Sequence, residues 1–258
     1  MKNVLKPSFT LLSISLLFVF AFIACGNSDD STSQDTEMEE ETTGELHPAF
    51  AEFDKDETDV YLSGSNVVIE TTGLPNHETV YWGEGNALYM DEPNVQLTPS
   101  RIPGYDASAT LMVSQNPQLA STSTATRLGA IGIAVSGAAI YNDQEGNGPL
   151  NQAAASLDYT GGHIGPQAYH YHLEPKAWTN DDEKLVGILA DGFFIYGRKC
   201  NSTGTYPTDL DASGGHTSVT QHTTDIVEYH YHIENELYLN QYYIIFPGDY
   251  QGTPSSIN

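Results

Sequence analysis

The tetrapeptide Tyr-His-Tyr-His occurs twice in this chain, at residues 169–172 and 229–232. With 16 Tyr and 9 His among 258 residues, roughly one chain in a thousand of this composition would contain it even once by chance. In an extended strand, alternate side chains point to opposite faces, so the two histidines of each copy share one face and the two tyrosines share the other. A strand of this kind orients two imidazoles towards one metal ion.

Both copies lie within a longer internal repeat. Residues 132–141 match residues 187–196 at Gly, Ile, Gly, Ile and Tyr, at an offset of 55. The pattern Asp-x-x-Gly-Gly-His occurs at 158–163 and again 53 residues later, and the two tetrapeptides are 60 residues apart. Three blocks in one order predict a duplicated unit, with halves at about 130–172 and 185–232 that are related by a pseudo-twofold axis.

The histidines of this repeat are the predicted metal ligands. Each strand pair is expected to be completed by a loop histidine, which makes the predicted ligands His163, His170, His172, His216, His230 and His232. His77, outside the repeat, is a further candidate ligand. We expect a shared or paired site where the two halves meet. The alternative is that these imidazoles bind backbone carbonyls or line a solvated surface.

Imidazole donors indicate which ions to expect. Together with carboxylate or tyrosinate, they suit copper or zinc, with iron and manganese as further candidates. At least half of the four repeat tyrosines are expected to pack in the core instead, because aromatic side chains suit the inward face of a strand.

Three aspartates accompany the histidines. Asp158 and Asp211 stand five residues before the loop histidines, and we expect them to accept the free ring N–H of a ligating imidazole. Asp191 occurs in one half only, with Ser136 as its counterpart, and is the candidate catalytic residue, as ligand or general base. The alternative is a turn aspartate without a chemical role.

The remaining sequence is typical of β structure. Short β-branched or aromatic runs bounded by Gly, Pro, Asn or Ser predict strands near residues 60–62, 66–70, 130–135, 185–189 and 237–246. No long window of the folded part has a helical period, although residues 152–157 are expected to form one short turn or helix. The prediction is a mainly β, internally duplicated β-sandwich or barrel-like domain with long loops and little helix.

The first 24 residues resemble a lipoprotein signal peptide. Lys2 and Lys6 precede a largely apolar run at 9–24 that ends at Cys25. The run is shorter than the ~20 residues that a membrane-spanning helix needs. We therefore expect cleavage before Cys25, acylation of that cysteine with palmitate-type chains, and attachment to a membrane through the lipid.

Residues 25–46 are predicted to be the lipidated cysteine and a disordered acidic linker, followed by the folded domain at 47–258. Residues 26–46 contain eight acidic residues and no basic one, which gives too little apolar surface for folding. Ser-Asp-Asp at 28–30 is similar to the signal that directs lipoproteins of Bacteroidetes outwards. The expected location is therefore the cell surface, anchored in the outer membrane.

The composition excludes several functions. A net charge of −25 makes nucleic acid an unsuitable partner and attracts cations. Once Cys25 is acylated, Cys200 is the remaining cysteine, so no intramolecular disulfide is expected. The sequence has no Cys-x-x-Cys, no Gly-Lys-Ser/Thr loop and no Gly-x-Ser-x-Gly elbow, which argues against iron–sulfur, nucleotide triphosphate and α/β-hydrolase chemistry.

At these motifs the chain resembles the YHYH domain family, from about residue 60 to residue 252. The family's Gly-Leu/Ile-Pro-x-His turn is similar to residues 73–77, its first histidine loop and tetrapeptide to 161–172, and its second half to 209–232. Its Leu-Asp-Gly-x-x-Ile-Tyr-Gly motif is similar to 189–197 with one residue inserted. The resemblance implies a metal-handling site without an agreed activity.

One departure from the family concerns its cysteines. The family commonly has a cysteine where this chain has Ser213, and another near its end, where this chain reads Phe-Pro-Gly at 246–248. A cross-link between these two places is therefore absent here.

The predicted function is that of a surface-exposed lipoprotein with a histidine-rich transition-metal site. The sequence leaves open whether it is an enzyme, with a metal-dependent oxidoreductase or hydrolase as the candidates. The alternative is a non-enzymatic lipoprotein that binds carbohydrate or protein through exposed Tyr and His rows, or one that captures metal. The identity of a protein or glycan partner is left open as well.

Overall fold

The structure is a computed structural model that describes residues 44–98, 101–102, 104–146, 148–165 and 168–258. The predicted signal peptide at 1–24, Cys25 and nearly all of the predicted linker lie outside these residues. Among the residues that are described, no helix has the length and hydropathy needed to cross a bilayer.

The described residues form short strands and three 3-10 helices, which confirms the mainly β prediction. The strands are β1 (Thr58–Ser63), β2 (Asn66–Thr71), β3 (Ala109–Ser114), β4 (Thr124–Ala125), β5 (Gly132–Ala134), β6 (Ala139–Ile140), β7 (Gln144–Glu145), β8 (Gly148–Pro149), β9 (Gly162–Ile164), β10 (Tyr169–Tyr171), β11 (Leu185–Leu189), β12 (Phe194–Tyr196), β13 (Gly215–Ser218), β14 (Glu228–His232) and β15 (Asp249–Tyr250). The 3-10 helices are Pro48–Glu52, Val80–Trp82 and Leu150–Gln152.

Eight strands form the main sheet, in the order β13-β14-β12-β11-β5-β6-β10-β9. From its centre outwards, β5 pairs antiparallel with β6, β6 parallel with β10, and β10 antiparallel with β9. On the other side, β11, β12, β14 and β13 repeat the same three pairings in the same order. The two groups of four strands therefore share one connectivity. That they arose from one duplicated unit stays a prediction.

The centre of this sheet is the antiparallel pair of β5 and β11, in which Ile133 lies opposite Ile188. A Cβ at Gly132 would collide with the carbonyl of Ile188, and a Cβ at Gly187 would collide with the carbonyl of Ile133. Only glycine permits this approach of the two backbones. The glycine at the first position of each repeated block is therefore explained by contact across the centre of the sheet.

A second sheet of three antiparallel strands, in the order β1-β2-β3, covers part of the core. Val67 and Ile69 of β2 lie opposite Val113 and Leu111 of β3. These four side chains are buried in one hydrophobic cluster together with residues from β5, β10, β11, β12 and β14. The two sheets thus share a single apolar core, whose burial drives the fold.

The predicted strand at 237–246 is wrong. Leu239 and Asn240 have φ values of 52° and 59°, so the backbone is left-handed there and cannot continue as a strand. The N–H of Gln241 donates to the carbonyl of Tyr238 at 3.2 Å, which closes a turn. The apolar run is therefore two short segments around an asparagine turn. The expected turn or helix at 152–157 starts earlier, as the 3-10 helix Leu150–Gln152, and continues as turns.

Candidate metal centres

The two tetrapeptides lie on β10 and β14, near opposite ends of the main sheet. Tyr169, Tyr171 and Tyr231 are buried in the hydrophobic core, whereas Tyr229 is only partly buried against it. The histidines point the other way and are also buried. The predicted alternation of the two faces and the packing of most of the tyrosines in the core are confirmed.

Strand pairing brings a loop histidine beside each histidine pair. In the pairing of β9 with β10, His163 lies opposite His170. In the pairing of β13 with β14, His216 lies opposite His230. Each loop histidine is therefore placed by a hydrogen-bonded strand, which limits its movement relative to the histidine pair.

The Gly-Gly sequence before each loop histidine is required by the local backbone. Gly161 and Gly214 have φ values of 73° and 78°, in the left-handed region that favours glycine. A Cβ at the following Gly162 would collide with the ring of Tyr169, and Tyr229 packs in the same way against the counterpart glycine. The glycines thus allow the tyrosine rings to pack under the histidine loops.

Among the described residues, the possible metal donors form two separate groups. The Glu145 group consists of Glu145, His163, His170 and His172, and the Cys200 group consists of Cys200, His216, His230 and His232. Within each group, the four donor atoms lie within 4.8 Å of one another. Four strands separate β10 from β14 in the sheet, and the two halves meet between them, at β5 and β11. The prediction of a site where the two halves meet, whether shared or paired, is therefore wrong.

The Nδ1 atoms of all four strand histidines face backbone carbonyls. The pairs are His170 with Ala168 at 3.0 Å, His172 with Asn142 at 2.6 Å, His230 with Glu228 at 3.0 Å and His232 with Gly197 at 2.7 Å. Because a carbonyl oxygen can only accept, each of these rings carries its proton on Nδ1 and donates it.

The two loop histidines are oriented in the same way by side chains. His163 Nδ1 lies 2.8 Å from Ser156 Oγ, whose own hydroxyl donates to the carbonyl of Ala153 at 2.8 Å. His216 Nδ1 lies 3.0 Å from Asp209 Oδ1, which accepts its proton. All six imidazoles, when neutral, therefore present an unprotonated Nε2 to the centre of their group.

These bare nitrogens face one another at close range. His170 Nε2 lies 3.1 Å from His163 Nε2 and 3.0 Å from His172 Nε2. In the other group, His230 Nε2 and His232 Nε2 are 3.1 Å apart. Lone pairs that face each other without a proton between them repel, and burial lowers the pKa of His170 well below its ordinary value, with further lowering from its two histidine neighbours.

A cation at the centre of each group would remove this repulsion. For an ion held at ~2.0–2.1 Å from each nitrogen, N–N separations of ~3 Å correspond to N–metal–N angles of roughly 95°. Such nitrogens cover one face of the ion and leave the opposite side for another donor. The groups can therefore hold a metal, and the residues present fit one.

Glu145 and Cys200 provide that further donor. Glu145 Oε2 lies 3.4 Å from His163 Nε2 and 3.6 Å from His172 Nε2, and Cys200 Sγ lies 3.5 Å from His216 Nε2. Sequence reasoning missed both residues. The signal was present, because continuing the 55-residue offset of the first repeated block by four positions aligns Glu145 with Cys200.

The surroundings favour the charged form of both donors. A proton on Nε2 of His163 or His172, which can then donate to the carboxylate, lowers the pKa of Glu145. Burial raises the pKa of the Cys200 thiol, but hydrogen bonds from two serines and from His230 and His232, when these rings carry a proton on Nε2, outweigh it and lower the pKa to about 3. Carboxylate and thiolate are the forms that bind metals.

Comparison with known protein families identifies a matching family. The sequence model of a family described as YHYH protein matches residues 110–210. The chain contains a YHYH domain. The matched residues include the whole Glu145 group and Cys200, but end before the three histidines of the Cys200 group. No curated protein and no solved structure matches the chain significantly.

The predicted role of Asp158 and Asp211 beside the imidazoles is wrong. In the structure, Asp158 Oδ2 accepts from the hydroxyl of Tyr169 at 2.6 Å, and Asp211 Oδ2 accepts from Tyr229 at 2.7 Å. Their other oxygens accept backbone N–H groups of the Gly-Gly loops. Both carboxylates therefore shape the loops and anchor the tyrosine face. Ser156 and Asp209, two residues earlier, make the contact with the imidazoles.

Asp191 also lies with the tyrosines of the tetrapeptides and belongs to neither histidine group. Its Oδ2 accepts from the hydroxyl of Tyr231 at 2.6 Å and from the N–H of Gly252 at 3.0 Å. In the other half, Ser136 contacts the hydroxyl of Tyr171 at 2.8 Å. Asp191 is therefore not a ligand in either group, and its carboxylate is engaged on the opposite face of the strand.

His77 is not part of either group, so its prediction as a further ligand is wrong. Its Nε2 lies 2.6 Å from the hydroxyl of Tyr171, and its Nδ1 lies 2.8 Å from the carbonyl of Glu78. Both ring nitrogens thus have hydrogen-bond partners on the tyrosine face. His77 connects the Gly-Leu-Pro-Asn-His turn to the core.

Ser213 is one of the two places where the resemblance implies a cysteine that this chain lacks. Its hydroxyl accepts from Gln251 Nε2 at 2.8 Å and from the N–H of Asp249 at 3.2 Å. These hydrogen bonds connect the loop that precedes His216 to the C-terminal segment. They join the two places that a cross-link would join, without a covalent bond.

Proposed function

We propose that this chain is a transition-metal-binding protein that holds one ion in each histidine group. The observation that carries this proposal is the pair of strand histidines in each group, whose unprotonated Nε2 atoms face each other at 3.0 and 3.1 Å. A transition-metal ion accepts both lone pairs at once, and copper, zinc, iron and manganese all suit imidazole donors.

The donor count supports metal retention over catalysis. Each group offers four protein donors, the number that structural zinc sites use. Catalytic zinc sites use three protein donors and keep a fourth position for water or substrate. Stoichiometric binding without turnover is therefore the function that we propose, in preference to an oxidoreductase or a hydrolase.

A contact surface made of the Tyr and His rows is not favoured. Such a surface needs exposed side chains, whereas seven of the eight tetrapeptide residues are buried. Only Tyr229 has a partly exposed side chain. The tetrapeptide residues therefore offer little accessible surface for contact with a carbohydrate or a protein.

We also propose that the protein is tethered to the outer membrane at the cell surface through a lipid on Cys25. The lysines and apolar run of residues 1–24 support this location, and the net charge of −25 would raise the local concentration of cations. Replacement of Cys25 with serine is expected to move the protein from the membrane fraction to the soluble fraction. Retention in the membrane fraction would contradict the tether.

Metal content tests the main proposal. Protein without affinity-tag histidines is loaded with zinc, freed of excess ion and analysed by mass spectrometry. The expected result is two ions per chain for the wild type and one for either His170→Ala/His172→Ala or His230→Ala/His232→Ala. Removal of all four histidines is expected to leave none.

The matched control is His222→Gln, which removes a histidine that pairs with Glu52 at 2.6 Å outside both groups. This variant is expected to keep two ions. Circular dichroism of each variant checks that the fold is retained. Equal metal content in the wild type and in a folded variant without the four histidines would overturn the proposal.

A further inference from the structure

The two histidine groups have nearly the same framework. In both, the strand histidines donate Nδ1–H to carbonyls at 2.6 to 3.0 Å and hold their Nε2 atoms 3.0 or 3.1 Å apart. In both, the third histidine comes from the neighbouring antiparallel strand. Differences in metal preference between the groups must therefore come from the donors and surroundings outside this framework.

The fourth donor is the main difference. Glu145 supplies a carboxylate, which is a hard oxygen ligand, and Cys200 supplies a thiolate, which is a soft sulfur ligand. Soft thiolates select zinc and copper(I), whereas carboxylates suit manganese and, with imidazole, iron. Equal nitrogen donors combined with unlike fourth donors favour different ions.

Exposure is the second difference. Cys200 is buried, with 1% of its surface accessible, and hydroxyls of Ser202 and Ser218 lie 3.0 and 3.4 Å from its sulfur. The Glu145 side chain is 32% exposed. An ion in the Cys200 group is enclosed by protein, whereas the carboxylate of the Glu145 group reaches solvent and can be displaced by water or a small anion.

We propose that the two groups hold different metals, a thiophilic ion such as zinc or copper(I) in the Cys200 group and a harder divalent ion such as manganese or iron(II) in the Glu145 group. This inference rests on the proposed function, because it presumes that both groups bind metal. It adds that the protein holds its two ions with different selectivity and different rates of exchange.

The test uses two variants that each keep one group. His170→Ala/His172→Ala retains the Cys200 group, and His230→Ala/His232→Ala retains the Glu145 group. Metal-free, reduced protein is titrated separately with cadmium as the thiophilic probe and with manganese as the hard probe. Cadmium is expected to bind the first variant at least about tenfold more tightly than the second, and manganese is expected to show the reverse order.

Cys200 is then tested directly within the first variant. Adding Cys200→Ser should abolish the thiolate-to-cadmium charge-transfer absorbance and lower cadmium affinity by at least about tenfold. Adding Cys200→Glu should shift the preference towards manganese, because the group then has the donor set of its counterpart. The shift in preference keeps the test informative even where a variant is less stable.

The outcomes separate this inference from the proposed function. If neither single-group variant binds any of the ions although both are folded, metal binding itself is wrong. If both bind, but with the same order of affinity for cadmium and manganese, metal binding stands and the different selectivity is wrong. If Cys200→Ser leaves cadmium affinity and absorbance unchanged, the sulfur is not a ligand and the inference fails.

Discussion

The two ends of the main sheet have the same histidine framework and differ in the side chains around it. The strand histidines are oriented by backbone carbonyls, which are present whatever the side chains are, and both ends keep them. The side chains that complete each site come from loops and short strands, and these differ between the two ends. Glu145 at one end corresponds to Cys200 at the other, and Ser156 corresponds to Asp209. The comparison teaches that a backbone-oriented framework can be kept while its chemistry changes.

The largest expected effect is on stability when metal is removed. A site filled at 1,000 times its Kd stabilises the folded state by about 4 kcal/mol. Chelation is therefore expected to lower the unfolding free energy of the wild type by about that amount for each filled group. Thermal or urea denaturation of the two single-group variants, with and without chelator, measures each contribution. The comparison breaks if the chelator destabilises a folded variant without the four strand histidines as much as it destabilises the wild type.

The second effect compares the tyrosine faces. Tyr231 donates to the buried carboxylate of Asp191, and burial raises the pKa of that carboxyl group. Tyr171 contacts the hydroxyl of Ser136 and the ring of His77, which are uncharged partners when the imidazole is neutral. Tyr231→Phe is expected to cost about 2–3 kcal/mol and Tyr171→Phe about 1 kcal/mol, because hydrogen bonds to charged groups contribute more.

Urea denaturation at neutral pH measures this difference. Asp191→Asn in the Tyr231→Phe background should recover part of the loss, since it removes the buried charge that lacks its donor. Equal costs for the two Tyr→Phe changes would show that Asp191 and Ser136 are equivalent partners. The two halves would then not differ on this face.

The third effect concerns the residues that orient the loop histidines. Asp209→Ala is expected to weaken metal binding at the Cys200 group by about tenfold, because the partners of ligating imidazoles typically contribute 10–100-fold. Ser156→Ala should weaken metal binding at the Glu145 group by a smaller factor, since a neutral hydroxyl is a weaker hydrogen-bond acceptor than the carboxylate of Asp209. Competition with a chromophoric chelator on the single-group variants separates the two effects. A change at the other group would contradict the assignment.

The smallest effect is a pH dependence that belongs to one half only. Glu92 accepts the N–H of Tyr159 at 2.8 Å, and burial, with a contribution from Asp158, raises its pKa from 4.5 to about 7. Glu92 precedes both repeat halves, and this contact is with the histidine loop of the first half. The pKa of Glu92 is higher in the folded state than in the unfolded state. Its contribution to the unfolding free energy is therefore fully present below pH 4.5 and is lost as pH rises through about 7.

Glu92→Gln removes the titration. Between pH 4.5 and pH 8, the unfolding free energy of the metal-free variant should rise by about 1 kcal/mol relative to that of the wild type. This figure is discounted for partial exposure of the carboxyl group. Melting curves at several pH values measure the difference, and the other titrating groups cancel in it. Parallel pH profiles of the two proteins would show that Glu92 is not responsible.

The features that were predictable from the sequence are those with a local physical cause. The period of two in Tyr-His-Tyr-His places His170 and His172 on one face wherever the strand lies. The β-branched run at 185–189 forms a strand because its side chains are buried on both faces. The six histidine donors followed from this local periodicity and from the Gly-Gly loops.

The rest of the site depends on contacts between distant segments. Glu145 and Cys200 reach the histidines only because their short segments lie beside β10 and β14 in the folded chain. Sequence spacing predicts Asp158 beside an imidazole, whereas in the folded chain its carboxylate accepts from the hydroxyl of Tyr169, which packs under the same loop. Sequence spacing states how far apart residues are along the chain, but which side chain reaches a carboxylate first is decided by tertiary packing.

The pairing of β5 with β11 has a consequence for how such a protein can be assembled. Ile133 faces Ile188, its counterpart in the repeat. The glycine before each isoleucine lies against the carbonyl of the isoleucine on the facing strand. An antiparallel pair in which equivalent residues face each other has local twofold symmetry, as in an isologous dimer interface. A shorter polypeptide comprising one set of four strands would present an open edge that a second identical chain fits in the same register. Such a homodimer would carry two identical ion sites, and joining the two sets in one polypeptide is what allows one site to carry glutamate and the other cysteine.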